Sequence, residues 1–531
     1  MIKGETNLSE ESDEELIARL MRAPLRTMPD GDALNSVGML IDVAVHVRDA
    51  AAITRAFVQL RDIERRSISA VNQTLIHYFR ANAWHGRRLI SANPGARAWE
   101  QPERQEEILE LFRACHHVGF ASLEAGRRCQ ILTNLGLQFL EVGRFVEAIE
   151  LWDTALALVP NFAMALGSRG SGFKYYGLAV EDGFDCAVLL TTAQRSFAAA
   201  IATDAFWDGL YPPEVIDTFR TGALKIVERY DVDAIEADLQ RDQTRLGRSK
   251  AERSYRLWCL QHRLFINPLN DVAPAPLAAT DTLMLPSLTV SIESTGVPPI
   301  IGFYNQMKQE FAFARLQLFE SIHPEGVHFA DRRVWLHNTL DYPVYSMAIE
   351  RGRTAFRLAY GLLDKVGYFI NHYWGLGTEP HRVGFRSVWY KEGDASQGLH
   401  PHFHEYANWP LNGLFWLSKD LFDDHFQKVT RPDAREIFIL RNSLEHKYLQ
   451  VRHGWTRDII DEPSTEGLGQ SILSDAFDAK ALRILKTARA ALIHLALAVH
   501  REETIRRNSR EGGLVAQMLL TPFDDNWKRS M

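Results

Sequence analysis

The chain is poor in cysteine: four in 531 residues, Cys115, Cys129, Cys186 and Cys259, none in CxxC spacing. Their scatter excludes a disulfide frame and a zinc site of paired cysteines, and fits reduced thiols in a cytoplasmic protein. An excess of positive charge is also missing. Sixty Lys and Arg stand against 67 Asp and Glu, a net charge of -7, so a nucleic acid has to be met by a local basic patch rather than by the whole surface. No apolar run is long enough to cross a bilayer and no signal peptide opens the sequence. The cytoplasm is therefore the default location, and no membrane is expected among the partners. What remains is a chain with 46% hydrophobic and 10% aromatic residues, ample core material at a length that exceeds one ordinary core. Two or three domains are expected.

Residues 1–15, MIKGETNLSEESDEE, are acidic and nearly free of apolar side chains. They read as a disordered tail. From 16 to 265 apolar residues recur at three and four, the helical period, with a turn at Asn93-Pro94-Gly95. The clearest unit lies between Gln130 and Pro160. There Leu132, Leu135, Gly136, Phe139, Ala148, Trp152, Ala155 and Pro160 fall on the TPR spacing, in which small residues let one helix approach the next and large ones fill the gap. A second unit follows at Leu166, Gly170 and Phe173, then Ala193, Phe197 and Ala200, with an insertion expected around 181–190. One unit cannot bury its own faces, so its neighbours must stack into an array. That array is either a concave surface for a protein partner or nucleic acid, or a scaffold packed on the rest of the chain.

Residues 266–300 contain Pro268, Pro274, Pro276, Pro286, Pro298 and Pro299 and little periodicity. They form a linker or an extended strap, part of which packs down through LMLPSLTVSI, and the domain boundary is placed there. Residues 301–531 return to helical pattern at about 304–322, 342–374, 411–423, 432–453 and 474–508, a bundle. The fold class expected is all-α, a TPR-like helical repeat array followed by a helical bundle.

An insertion rich in His and Gly interrupts the bundle at 375–410. His400, His402 and His404 alternate and end in Glu405; on a strand they would share a face, where a metal site stays open. The i, i+4 His pair of a helical zinc site and a distal ligand are lacking, so no metal and no cofactor is assigned. Arg382, Arg386 and Lys391, interleaved with Phe385, Trp389 and Tyr390, suit phosphate contact and base stacking. They suit a loop packed on the bundle as well.

The most informative stretch is 430–454, TRPDAREIFILRNSLEHKYLQVRHG. Thr430 can cap a helix, Pro432 fits its first turn, and no Gly or Pro follows until Gly454. On that helix Ile437, Leu440, Leu444, Tyr448 and Val451 form one stripe that should face a core. Arg441, Asn442, Glu445 and His446 point away from it, with Asn442–His446 and Arg441–Glu445 as i, i+4 neighbours. Phe438 and Leu449 lie among these polar residues. Such a face is expected to be covered, by another helix or by a second copy of the chain, although a solvated Arg–Glu pair would need no function.

The segment RNSLEHK, late in an all-helical domain, resembles the HEPN superfamily (the higher eukaryotes and prokaryotes nucleotide-binding fold). Its ribonuclease members carry an Arg, usually a polar residue next, and a His a few residues on; Arg441, Asn442 and His446 match in turn. The resemblance extends over DRRVWLHNTLDYPVYSMAIERGRTAFRLAYGLLDKVGYFINHYW, which is similar to the HEPN branch found behind TPR-type repeats in prokaryotes. It implies a metal-independent endoribonuclease. Arg441 would hold the scissile phosphate and stabilise its growing charge, and His446 would move a proton. Asn442 would orient His446 or bind phosphate, and Glu445 would steady Arg441. Arg382, Arg386 and Lys391 would bind RNA.

One chain offers half of such a site. HEPN ribonucleases complete it by dimerising, so a homodimer or even-numbered oligomer is expected, with Phe438 and Leu449 in the two-fold contact. Products would be a 2′,3′-cyclic phosphate and a 5′-hydroxyl. The role implied is a defence or stress toxin that cuts tRNA or other RNA, set off by a trigger on the repeats. Two other readings stand beside it: a catalytically silent HEPN–TPR module that binds a protein or nucleotide, and a metal hydrolase built on His400, His402 and His404.

Overall fold

The computed structural model describes residues 12–91, 99–180, 183–209, 213–290, 298–404, 407–422, 432–454, 468–508, 516–517 and 525–528. Residues 1–11, the turn expected at Asn93-Pro94-Gly95, the cap at Thr430, Glu405 and the side chain of Phe438 lie outside the described residues. The described part is all-α, with two small two-stranded sheets. No helix among the described residues is long and apolar enough to cross a membrane.

The first helix, Asp13–Met21, begins inside the stretch read as tail. Ser12 accepts from the backbone of Glu15 at 3.3 Å, and Glu15 accepts from the backbone of Ser12 at 3.1 Å. This capping box satisfies two helix-end donors at once and starts the helix among acidic residues that favour its N-terminus. Residues 13–15 are thus ordered, against expectation.

Antiparallel helices then follow one another through the N-terminal half. Ala125–Glu141 pairs with Phe145–Leu158, and Ala163–Ala179 with Gly183–Ala200. Trp152 is fully buried between Gly136 and Gly172. A Cβ at either glycine would come to 2.5 Å from the indole, so both positions must lack a side chain for the helices to close on it. The insertion expected at 181–190 is largely absent: 183–190 is helix, and Phe197 packs on Gly170 from it.

The 266–290 segment is a strap that packs down. It makes two 3-10 turns, Pro268–Asp271 and Pro276–Ala278, and its Thr289–Val290 pairs antiparallel with Ala516–Gln517. Beyond it Pro299–Ile322, Met347–Tyr373 and Trp409–Phe422 surround Ser474–Asn508. Residues 488–499 of that last helix are buried on every side, which makes it the central element.

Three parts of the chain meet at Asp271 of the strap. Its carboxylate takes Nη1 and Nη2 of Arg489, on the central helix, at 2.8 and 3.1 Å, and the hydroxyl of Tyr176, on Ala163–Ala179, at 3.2 Å. Arg489 also donates to the carbonyls of Phe265 at 2.6 Å and Asn267 at 3.2 Å. Burial, and then the charge of Asp271, push the Tyr176 phenol well above its ordinary range, so it stays a donor. A second tie, Arg144 to Asp420 at 2.7 Å, joins the N-terminal half to Trp409–Phe422. One hydrophobic core runs through both halves.

Candidate functional site

The motif helix is Pro432–His446, seven residues shorter than its pattern suggests. Ile437, Leu440 and Leu444 are buried as expected. After Lys447 the chain turns into a strand, Tyr448–Arg452, parallel to Gly469–Leu473, with Tyr448 opposite Gly469 and Arg452 opposite Leu473. Val451 is therefore buried from a strand and Tyr448 is exposed. Leu449 is buried within its own chain, so it cannot serve the two-fold contact expected of it.

What stops the helix is visible on Met347–Tyr373, which crosses it. Arg357 donates through Nη2 to the carbonyl of Leu444, and its Nε lies 3.8 Å from Glu445. Arg353 donates to the carbonyl of Leu449 at 2.6 Å. Cations placed on the carbonyls of a helix C-terminus satisfy orphan acceptors and oppose the negative end of the dipole. Glu445 thus faces Arg357 and not Arg441, which corrects the role assigned to it. Arg357→Ala is expected to loosen the end of the motif helix, seen as faster amide exchange at Glu445–Tyr448. Arg357→Lys should restore the ordering only in part, because one ammonium cannot span a carbonyl and a carboxylate. Unchanged exchange in both variants would show that the helix end is held elsewhere.

Arg441 lies against the same long helix. Its guanidinium sits 5.6 Å from the Tyr360 ring and donates to Oδ1 of its neighbour Asn442 at 3.1 Å. Asp364, one turn beyond Tyr360, is pushed above the usual carboxylate range by burial, while the backbone N–H of Phe385 and the charge of Arg441 pull it back. Burial, with Asp364 adding, likewise raises the Tyr360 phenol, and Arg441 and Arg386 oppose it. At 100° per residue Arg441 and Glu445 face the long helix, whereas Asn442 and His446 turn toward its open side. His446 is exposed, with no hydrogen bond or ion pair among the described residues. The structure thus joins Arg441 to Asn442 and leaves His446 accessible at the helix end.

The insertion delivers one of its three expected RNA contacts to this place. Gly384 rides directly on Gly367 of the long helix, where a Cβ at 367 would come to 2.6 Å from the Gly384 carbonyl carbon. Two residues on, Arg386 is exposed beside Tyr360. Arg382 faces Glu392 at 3.8 Å, and Lys391 is exposed on the following 3-10 turn. Phe385 and Trp389 are core residues, with Trp389 packed on Trp99, Phe403 and Phe415. They are unavailable to stack on bases, a second correction. His400, His402 and His404 sit on and beside a 3-10 turn, not a strand: His400 accepts from the backbone of His402 at 3.2 Å, and the His404 ring lies 3.2 Å from the Leu399 carbonyl. Among the described residues no three His, Cys, Asp or Glu are gathered as a metal site.

Sequence reasoning missed Arg353, Arg357, Tyr360 and Asp364. Their spacing of four, three and four along one helix was the available signal, since it puts them on one stripe.

An all-helical bundle that carries Arg441, Asn442 and His446 on a helix lined by further arginines is the class of domain defined here. Residues 291–502 match the family described as LA2681-like HEPN. This part of the chain is a HEPN domain, of a superfamily in which ribonucleases are common. The match does not extend to the N-terminal helices. No curated protein and no solved structure matches the chain.

Proposed function

We propose that the HEPN domain is a metal-independent endoribonuclease. The observation that carries this reading is the gathering of Arg386 and Arg441 at Tyr360, with Arg357 one turn away at Glu445, beside a motif helix that ends in an exposed His446, in a chain of net charge -7. A local cationic patch with a titratable, accessible imidazole is what cleavage through the ribose 2′-hydroxyl requires. The 2′-oxygen attacks phosphorus as its proton passes to a base. The bond from phosphorus to the 5′-oxygen breaks as an acid protonates that oxygen. A 2′,3′-cyclic phosphate and a 5′-hydroxyl result.

Arg441 engages Asn442 with one of its five N–H donors and keeps others for the phosphate. Asn442 fixes the guanidinium, and Arg357 and Arg386 meet flanking phosphates. His446 is base or acid, and the second proton carrier comes from His446 of another copy across a two-fold axis. RNA is the partner. The setting that fits is a defence or stress toxin acting on tRNA, with TPR-like repeats as the place where a trigger acts.

The test is purified protein on total RNA with EDTA present, wild type beside His446→Ala. Wild type should cut under chelation and His446→Ala should not. Cleavage lost to EDTA but kept by His446→Ala would transfer the chemistry to the turn that bears His400, His402 and His404.

A further inference from the structure

Where the N-terminal helices meet the bundle, a cavity of about 440 Å³ is left between them. Phe145–Leu158 lines one side, Trp409–Phe422 and Ser474–Asn508 line the other, and Arg263 and Asp271 complete the wall. Glu150 and Lys486, paired with each other, are partly exposed and form the rim. Arg144, Asp271, Asp420 and Arg489 are buried and form the floor.

Most charges of this wall are matched. Glu147 meets Arg144 at 3.1 Å and His494 at 3.4 Å, and Asp271 meets Arg489 at 2.8 Å. Two buried atoms are left over. Nη1 of Arg263 and Oδ1 of Asp420 have no hydrogen-bond partner among the described residues, although Nη2 of Arg263 holds Asp153 and Oδ2 of Asp420 takes Arg144. Asp420 is only 8% exposed, so its free oxygen is cut off from bulk water, a state that native proteins seldom leave unmet.

The backbone at Arg263 is a second, independent sign. It closes the helix Lys250–Gln261: the N–H of Arg263 bonds the Leu260 carbonyl at 3.1 Å, and that of Leu264 the Cys259 carbonyl at 2.8 Å. In this double-bonded helix end the left-handed position is usually glycine. Here an arginine holds it at a φ of 54°, a strain met where the side chain is needed.

We propose that this cavity binds a small zwitterion with an apolar body, of the chemical type of a free amino acid or short peptide. Its carboxylate lies on Nη1 of Arg263 and its ammonium on Oδ1 of Asp420. The volume falls in the ~300–1,000 Å³ range of small-molecule sites. It is many times the ~30 Å³ share of one water, and waters inside it would find few partners on Val146, Leu151, Leu417 and Leu482. A purely anionic ligand would be repelled by Glu147, Glu150 and Asp420, and a purely cationic one by Arg144, Arg263 and Lys486. A ligand of both signs satisfies one leftover atom with each end. The helix that carries Asp420 also packs on Pro432–His446, so the site lies one helix away from Arg441.

The experiment is titration calorimetry and thermal melting of full-length protein with a panel of free L-amino acids, ω-amino acids and apolar dipeptides, so that the spacing of ammonium and carboxylate varies. At least one probe should bind and raise the melting temperature. Blocking either end of that probe, by N-acetylation or as the C-terminal amide, should weaken binding by about tenfold to a hundredfold, the size of a lost charged hydrogen bond. Arg263→Gly suits the left-handed backbone and leaves Asp153 with Arg169, and it should weaken the unblocked probe by a similar factor. Leu482→Trp, which fills the cavity and changes no charge, should abolish binding. A panel without a binder overturns the proposal. So does a probe that binds equally well with both ends blocked, or that binds Leu482→Trp as it binds wild type. Binding of AMP or inorganic phosphate in place of every zwitterion would overturn it too, by making the site one for anions. Should Arg263→Gly fail to fold, the blocked probes on wild type and the Leu482→Trp variant still decide.

Discussion

His446→Ala is expected to slow RNA cleavage by on the order of 10²–10⁴-fold, the range for lost general acid–base help. The side chain is exposed at the end of a helix held by Arg357, so its removal should leave the melting temperature where it was. Arg441→Ala should cost a comparable factor by removing the charge that meets the phosphate. Arg441→Lys should recover only part of it, because an ammonium cannot bond Asn442 and bind a phosphate oxygen in the planar geometry of the guanidinium. Single-turnover rates on a labelled RNA decide the matter, since they report the cleavage step without product release. Equal rates in all three variants would leave the motif helix as structure alone.

The largest effect on stability is expected at the buried junction of the strap, the N-terminal helices and the bundle. Asp271→Ala leaves Arg489 uncompensated in the core, and Arg489→Ala does the same to Asp271. Breaking one side of such a pair costs about 3–5 kcal/mol. Arg489→Met combined with Asp271→Leu should be less damaging than either single change, because no unpaired charge remains. It should still fall short of wild type, since the Phe265 and Asn267 carbonyls and the Tyr176 hydroxyl also lose partners. Urea unfolding measures this directly. An unchanged midpoint in either single variant would mean that the halves are held by their apolar contacts alone.

Helical period was legible along almost the whole chain, because each buried stripe repeats locally. The starts of helices were less so: the Ser12–Glu15 box was present in the letters but hidden by the acidic composition around it. The end of the motif helix could not be read for a different reason. Tyr448, Leu449, Gln450, Val451 and Arg452 fit a helical stripe and a strand equally well, and the choice is made by Gly469–Leu473, a partner distant in sequence.

The same limit governs the site. Arg441, Asn442 and His446 were visible as a motif, but the stripe of Arg353, Arg357, Tyr360 and Asp364 gains meaning only when the long helix crosses the motif helix. Arg386 arrives there because Gly367 and Gly384 allow the insertion to lie close. Interleaved aromatics were the misleading signal. Beside basic residues Phe385 and Trp389 looked like stacking platforms, yet they fill the core, whereas Trp335, well outside that stretch, is exposed.

The central claim is cleavage by the 2′-hydroxyl without metal, and the chemistry of the new ends tests it most directly. RNA cut by the wild-type protein in EDTA should carry 5′-hydroxyl ends that accept labelled phosphate from a kinase without prior phosphatase, and 2′,3′-cyclic phosphate ends that resist ligation until opened. The same RNA with a single 2′-deoxy residue at the cut site should stay intact there. Ends with a 5′-phosphate and a 3′-hydroxyl, formed equally well at the deoxy position, would contradict the account.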